Sequence, residues 1–296
     1  MSRKLLETFM SALQTGFLSS LREKVIADKD LDLQIRDNYL NIYYKGNSLL
    51  KLTERSAKKY KVDINAKFES EPEIQELCDE ITTAKFIKKI PFLKENIIKH
   101  GKNSLEIEYE QLIIRTNNSE LDNNSEYFIV DRQYVANGED RNRFDLTGFH
   151  WPQAGRRKGD QVPLCLMEVK FALNKDIKNI HEQISRYYDF LQDNINEFAE
   201  ETQNVFQQKL ALGLINQGEN RVEALRTLRF SPNIDEAQFV LILVDYNPFS
   251  KLLDTEKMKK LPFAEQIKIF YTGFAMWERR LQHYPELEFK NDGGGA

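Results

Sequence analysis

Residues 163–171 read Pro-Leu-Cys-Leu-Met-Glu-Val-Lys-Phe. The run is apolar except near its end. In an extended chain alternate side chains share a face, so Glu168 and Lys170 project on the side of Leu164 and Leu166, about 7 Å apart. Two charges at the end of a strand otherwise made for burial are costly unless they pair with each other or bind something. Upstream, Arg143 to Trp151 reads as a second strand with the same anomaly, Asp145 between Phe144 and Leu146. If the two strands are neighbours, Asp145, Glu168 and Lys170 meet.

Working outward, the order of elements follows from period. Residues 103–118 read as a helix, with Ser104 as its cap and Leu105, Tyr109, Leu112 and Ile113 as its apolar stripe. Tyr127 to Val135 reads as a strand, and Pro152 to Val162 as a polar loop. Residues 175–192 read as a helix that buries Ile177, Ile180, Ile184, Tyr188 and Leu191. A further helical stretch covers 194–229. Phe239 to Tyr246 has the continuous apolar character of a strand covered on both faces. Pro262 suits the first turn of a closing helix reaching about Tyr284, and Asn291–Ala296 is expected to be disordered.

The first hundred residues read differently. Leu6, Phe9, Met10, Leu13, Phe17 and Leu21 recur at helical spacing across 3–27. From 31 to 68 the period shortens to two, with a turn at Lys45-Gly46-Asn47-Ser48, as in an antiparallel meander. Residues 72–100 return to helical character, with a break expected at Pro91. A boundary is placed near His100-Gly101-Lys102-Asn103.

Composition narrows the class. The chain has 296 residues, enough for one large domain or two ordinary ones. The two cysteines, Cys78 and Cys165, stand too far apart in sequence for a paired-cysteine zinc site, and a disulfide framework is not expected. A reduced, cytoplasmic compartment is the expectation. No apolar run reaches the length of a membrane span, and the N-terminus lacks the apolar core of a signal peptide. The net charge of -4 excludes a polycation that coats nucleic acid but admits an enzyme with a local basic patch. There is no nucleophile-elbow serine, phosphate-binding glycine loop or dinucleotide fingerprint. His150 and His181 have no cysteine or second histidine at metal-ligand spacing and read as structural.

Two carboxylates meeting in a cleft make a hard oxygen site suited to magnesium or manganese. Such an ion binds a phosphate oxygen and acidifies an attacking water, and a lysine beside it orients that water and offsets developing negative charge. Glu-x-Lys recurs at Glu288–Lys290, and Asp-x-Lys at Asp176–Lys178, but only Glu168-Val169-Lys170 ends an apolar strand with a strand-borne aspartate upstream. The competing reading is a structural ion pair between Lys170 and one carboxylate. Arg156, Arg157 and Lys158 in the loop, with Arg141 and Arg143 before the second strand, are candidate phosphate contacts. Lys85, Lys88, Lys89 and Lys94 read as a solvated helix face.

The order helix, three strands, helix, strand, with Asp145 followed by Glu168-Val169-Lys170, resembles the PD-(D/E)XK nuclease superfamily over roughly residues 103–250. Phe144 stands where the name-giving proline would be. The resemblance implies Asp145 and Glu168 as ligands of a divalent metal and Lys170 as the catalytic lysine. It further implies a glutamate on the helix before the first strand, a role for which Glu106, Glu108 and Glu110 compete and Glu110 is favoured. Gln183-Ile-Ser-Arg-Tyr187 matches the Gln-x-x-x-Tyr of the exonuclease-like branch, with Gln183 as an auxiliary and Tyr187 as a nucleic-acid contact.

The expected fold is therefore α/β, a restriction-endonuclease-like core (α-β-β-β-α-β, a mixed central sheet flanked by helices) with an N-terminal α+β module. Residues 1–100 form the module and 101–290 the nuclease-like domain. The expected activity is magnesium- or manganese-dependent phosphodiester hydrolysis, in DNA ahead of RNA, without a membrane partner and with a homodimer admitted. By analogy of fold, bacterial defence, restriction or repair would suit such an enzyme. The alternative is a nuclease-fold module that binds nucleic acid or a partner protein without cutting.

Overall fold

The computed structural model describes residues 3–56, 58–102, 104–119, 124–135, 143–153 and 161–276. The helical period over 3–27 resolves into two helices, α1 (Glu7–Gln14) and α2 (Ser19–Ala27). At the turn between them a Cβ on Gly16 would lie 2.8 Å from the Ala12 Cα. That close reversal lets Leu18 and Leu21 enter the same core as Phe9 and Leu13.

The meander expected over 31–68 is present as β1 (Leu31–Ile35), β2 (Tyr39–Tyr44), β3 (Asn47–Ser56) and β4 (Lys59–Asp63), and a short β5 (Glu76–Leu77), in the stretch expected to be helical, extends it; all five pair antiparallel in that order. Tyr44 pairs with Asn47, so the β2–β3 turn is Lys45-Gly46 alone. Their φ angles of 46° and 72° are the left-handed pair that a two-residue hairpin requires.

Helix α3 (Glu80–His100) opens on a capping box between Asp79 and Thr82 and runs straight through Pro91. The break expected there does not occur. A proline inside a helix costs about 3 kcal/mol. Phe86 and Ile90 before it and Leu93 and Ile97 after it are all buried, each worth about 1.5–3 kcal/mol, so the continuous helix wins.

The second half supplies α4 (Leu105–Ser119), β6 (Tyr127–Val135), β7 (Arg143–His150), β8 (Gln161–Val162) and β9 (Leu164–Phe171), followed by α5 (Ile180–Ala211), α6 (Glu219–Thr227), β10 (Arg229–Phe230), β11 (Gln238–Val244), α7 (Thr255–Lys259) and β12 (Ile267–Thr272). The main sheet has the order β12-β11-β9-β7-β6, antiparallel from β6 to β9 and parallel from β9 to β12. The result is a mixed α/β fold.

Three expectations are corrected here. The helices foreseen either side of residue 193 are one, because Ile195, Phe198, Val205, Phe206 and Leu210 carry the buried stripe of α5 onward. The closing helix from Pro262 is instead a single 3₁₀ turn, Ala264–Gln266, followed by β12. The β-branched and aromatic run Ile267 to Thr272 pairs in parallel with β11. Finally, α4 buries Glu110, Gln111, Ile114 and Asn118, whereas of the expected stripe Leu105 is exposed and Tyr109 and Ile113 are only partly buried against the sheet. That helix is turned by polar partners. The Asn118 amide donates to the Ile129 carbonyl at 2.7 Å and accepts from its N–H at 2.9 Å. The expected tail 291–296 lies outside the described residues.

Each face of the main sheet has its own core. Leu164 and Leu166 of β9 join Phe239, Leu241 and Leu243 of β11 under α5. Cys165, Met167 and Val169 join Val240, Ile242 and Val244 with Ile114 of α4. The buried residues of the N-terminal half run without interruption into the α5 side, and a buried polar network crosses between the two halves. Arg36 pairs with Asp131 and donates to the Arg132 carbonyl at 2.8 Å. Arg132 meets Asp32 at 3.4 Å. The Lys209 ammonium, pushed down to about 8 by burial against the pull of Asp32 and Asp131, donates to the Gln34 side chain at 2.6 Å. No helix among the described residues is long and apolar enough to cross a membrane.

Candidate active site

The β7–β9 ladder runs from Phe149–Leu164 to Leu146–Met167 and stops there. One residue further, side chain replaces main chain: Asp145 Oδ2 accepts the Val169 N–H at 3.0 Å. The pleat is broken at the same point. Phe144 packs edge-on against Tyr187 of α5, centroids 4.5 Å apart, whereas Leu146 lies in the opposite core with Met167. Strict alternation would put residues 144 and 146 on one face. The strands thus separate where the sequence placed its charged residues.

Glu168 and Lys170 face the α5 side, as their parity requires. They form a buried ion pair through Glu168 Oε1, at 2% and 6% exposure. The second oxygen, Oε2, accepts from the Tyr187 hydroxyl. That hydroxyl also lies 3.0 Å from the Arg143 carbonyl. With one proton to donate, it favours the carboxylate as the stronger acceptor. Gln183 Nε2 donates to the Tyr187 oxygen at 2.8 Å, so the matched pair on α5 forms a chain, Gln183 to Tyr187 to Glu168. Tyr187 is 1% exposed. This corrects the expectation of a direct nucleic-acid contact: the ring is enclosed, and its hydroxyl serves Glu168.

Burial alone would lower the Lys170 ammonium, but Glu168 and then Asp145 hold it above its ordinary value. Lys170 is a cation at neutral pH, suited to orienting a water and offsetting negative charge rather than to taking a proton. The Asp145 carboxyl is pushed well above the usual carboxylate range by burial and by the neighbouring charges of Glu168 and Glu110.

Of the three competing glutamates, Glu108 turns away to Lys45, 3.2 Å distant. Glu106 accepts from the Asn174 side chain at 3.3 Å, and its charge reaches Lys170. Glu110 is buried and held by Arg132 Nη2 at 3.2 Å and by Gln133 Nε2 at 2.8 and 2.9 Å to its two oxygens. Burial pushes its carboxyl up to about 7, while Arg132 and Gln133 pull it back. Sequence reasoning missed Arg132 and Gln133. A signal existed, since Asp131-Arg132 interrupts the apolar start of β6 just as Asp145 interrupts β7.

A cleft of about 420 Å³ opens over Asp145 and Lys170, lined also by Arg143, Lys175, Gln183 and Arg186. Arg143 was foreseen as a phosphate contact; Lys175 and Arg186 were not, and nothing in their local pattern marks them. The remaining loop candidates, Arg141, Arg156, Arg157 and Lys158, lie outside the described residues. His150 stacks on Tyr127 at 4.5 Å and bonds the Gln238 amide at 3.0 Å, a packing role.

No three His, Cys, Asp or Glu side chains among the described residues close into a metal cage. Magnesium rarely needs one: it is commonly held by one or two carboxylates and completes its shell with water and substrate phosphate. Among the described residues no hydrogen bond reaches the second Asp145 oxygen, and burial first, then the charges of Glu168 and Glu110, hold its carboxyl up. A divalent cation would relieve that repulsion, and the free Asp145 oxygen fits one as a donor. The chain matches no family model, and no curated protein or solved structure aligns with it.

Proposed function

We propose that the protein is a divalent-metal-dependent nuclease with a restriction-endonuclease-like core. The observation that carries this reading is the meeting of Asp145, Glu168 and Lys170 where the β7–β9 ladder opens. The order α4-β6-β7-β9-α5-β11 supports the same reading. Asp145 and Glu168 would hold magnesium or manganese, which when bound polarises the phosphodiester and acidifies water. Lys170 orients the water and offsets charge developing on phosphate. Tyr187, backed by Gln183, fixes the Glu168 carboxylate. Arg143, Lys175 and Arg186 draw the phosphate backbone into the cleft. The substrate is nucleic acid, DNA ahead of RNA.

The test is cleavage of linear and circular DNA with magnesium or manganese, run beside Glu168→Ala. Metal-dependent cutting that disappears in the variant supports the reading, and the circular substrate separates endonuclease from exonuclease action. A second reading has its own support: both Glu168 oxygens already have partners within the protein. On that reading the domain binds nucleic acid without cutting. It predicts retention of DNA or RNA with no cleavage and no manganese binding.

A further inference from the structure

Strand β6 holds a conformation foreign to strands. Gln133 has φ +51° inside Tyr127–Val135. For a residue with a Cβ this left-handed region is unfavourable by about 1–2 kcal/mol, and such strain persists where the surroundings impose it, often at functional sites. Gln133 falls between the Arg132–Leu146 and Tyr134–Phe144 pairs, which puts Asp145 across from it on β7. The broken pleat of β7 and the strained residue of β6 are therefore one feature seen from two strands. The conformation has a clear product: the Gln133 amide reaches both oxygens of Glu110, at 2.8 and 2.9 Å. Arg132, 1% exposed and itself tied to Asp32, supplies the third bond. A buried carboxylate gripped on both oxygens has one orientation, and its charge is felt by Asp145.

We infer that Gln133 is a positioning residue of the nuclease site, its strained backbone retained because it holds the Glu110 carboxylate in place beside Asp145. The inference rests on the nuclease reading above. A purely structural glutamine would be better placed on relaxed backbone.

The experiment compares Gln133→Gly, Gln133→Ala and Gln133→Asn with the parent protein. Three quantities are read: melting temperature, manganese affinity by calorimetric titration, and kcat and KM for DNA cleavage. Glycine and alanine both remove the amide, but only glycine relaxes the backbone. Asparagine tolerates the left-handed region and restores a shorter amide. The glycine variant is expected to melt above the alanine variant. Both should bind manganese roughly 10–100-fold more weakly than the parent, with kcat reduced in proportion and KM for DNA unchanged. Asparagine should melt as high as glycine and recover part of the affinity. If alanine does not fold, glycine and asparagine carry the comparison. Parental manganese affinity and kcat in Gln133→Gly would overturn the inference, and equal melting of glycine and alanine would overturn its strain argument. A parent that neither binds manganese nor cuts DNA sinks the nuclease reading and the positioning role with it. A parent that does both beside unaffected variants sinks the positioning role alone.

Discussion

Tyr187 and Glu168 are joined through the Tyr187 hydroxyl and Glu168 Oε2, in a place where neither meets solvent. Burial and the carboxylate charge both push the phenol upward in pKa, so it remains a donor at any working pH. Tyr187→Phe keeps the ring against Phe144 and removes the hydroxyl, and with it the bond to Glu168 and the one accepted from Gln183. A hydrogen bond to a charged group is worth about 1.5–3 kcal/mol, and that is the stability loss expected in urea unfolding. Cleavage should fall roughly 10–100-fold with KM for DNA unchanged. A variant as active and as stable as the parent would show that Lys170 alone holds Glu168.

Lys170 and Glu168 are a desolvated pair, so breaking one side leaves a buried charge. Lys170→Met should cost about 3–5 kcal/mol. Adding Glu168→Gln should restore most of that loss, because the remaining amide is neutral and still accepts from Tyr187. Neither variant should cut DNA. Equilibrium denaturation of the two proteins separates the stability role from the chemical one; a Lys170→Met protein as stable as the parent would mean that the pair is not desolvated in solution.

Glu110 has a pH signature. Its carboxyl is raised from 4.5 to about 7 by burial. Between those values the folded protein keeps a proton that the unfolded chain has released. Stability therefore falls as pH rises through that window, by up to about 1.4 kcal/mol per pH unit. Glu110→Gln cannot titrate, and its stability curve should be flatter from pH 4.5 to 7. Parallel curves for the two proteins would mean that Glu110 is ionised throughout.

Pro91 lies exposed within α3. Pro91→Ala returns a backbone N–H to the helix and removes the ring from the preceding turn. Stabilisation of about 1–3 kcal/mol is expected, read as a higher denaturation midpoint with an unchanged slope. No change in midpoint would show that the helix has already adjusted around the proline.

Local period made much of this architecture legible. The two-residue alternation of β9 separated Leu164, Leu166, Glu168 and Lys170 from Cys165, Met167 and Val169, and the two cores divide along that line. The meander and the first turns of α5 were readable for the same reason: each buries one face, and the burial repeats at the period of the element. Where the reading failed, a distant partner had overruled the local signal. Pro91 stays helical because residues on both sides of it find the core. Residues 267–272 extend because β11 offers a ladder. Helix α4 turns a polar face inward because Arg132, Gln133 and the Ile129 backbone wait there.

The amino-acid sequence by itself determined the order helix, three strands, helix, strand from α4 to β11 and the shared face of Glu168 and Lys170, since both follow from the geometry of neighbouring residues along one chain segment. Only the tertiary structure decided that Tyr187 serves Glu168 rather than a substrate, that Glu110 and not Glu108 turns inward, and that Gln133 is strained opposite Asp145. Those outcomes depend on strand register and on which helix face meets which strand. They are set by burial summed over the whole molecule, and no repeat within a single segment encodes them.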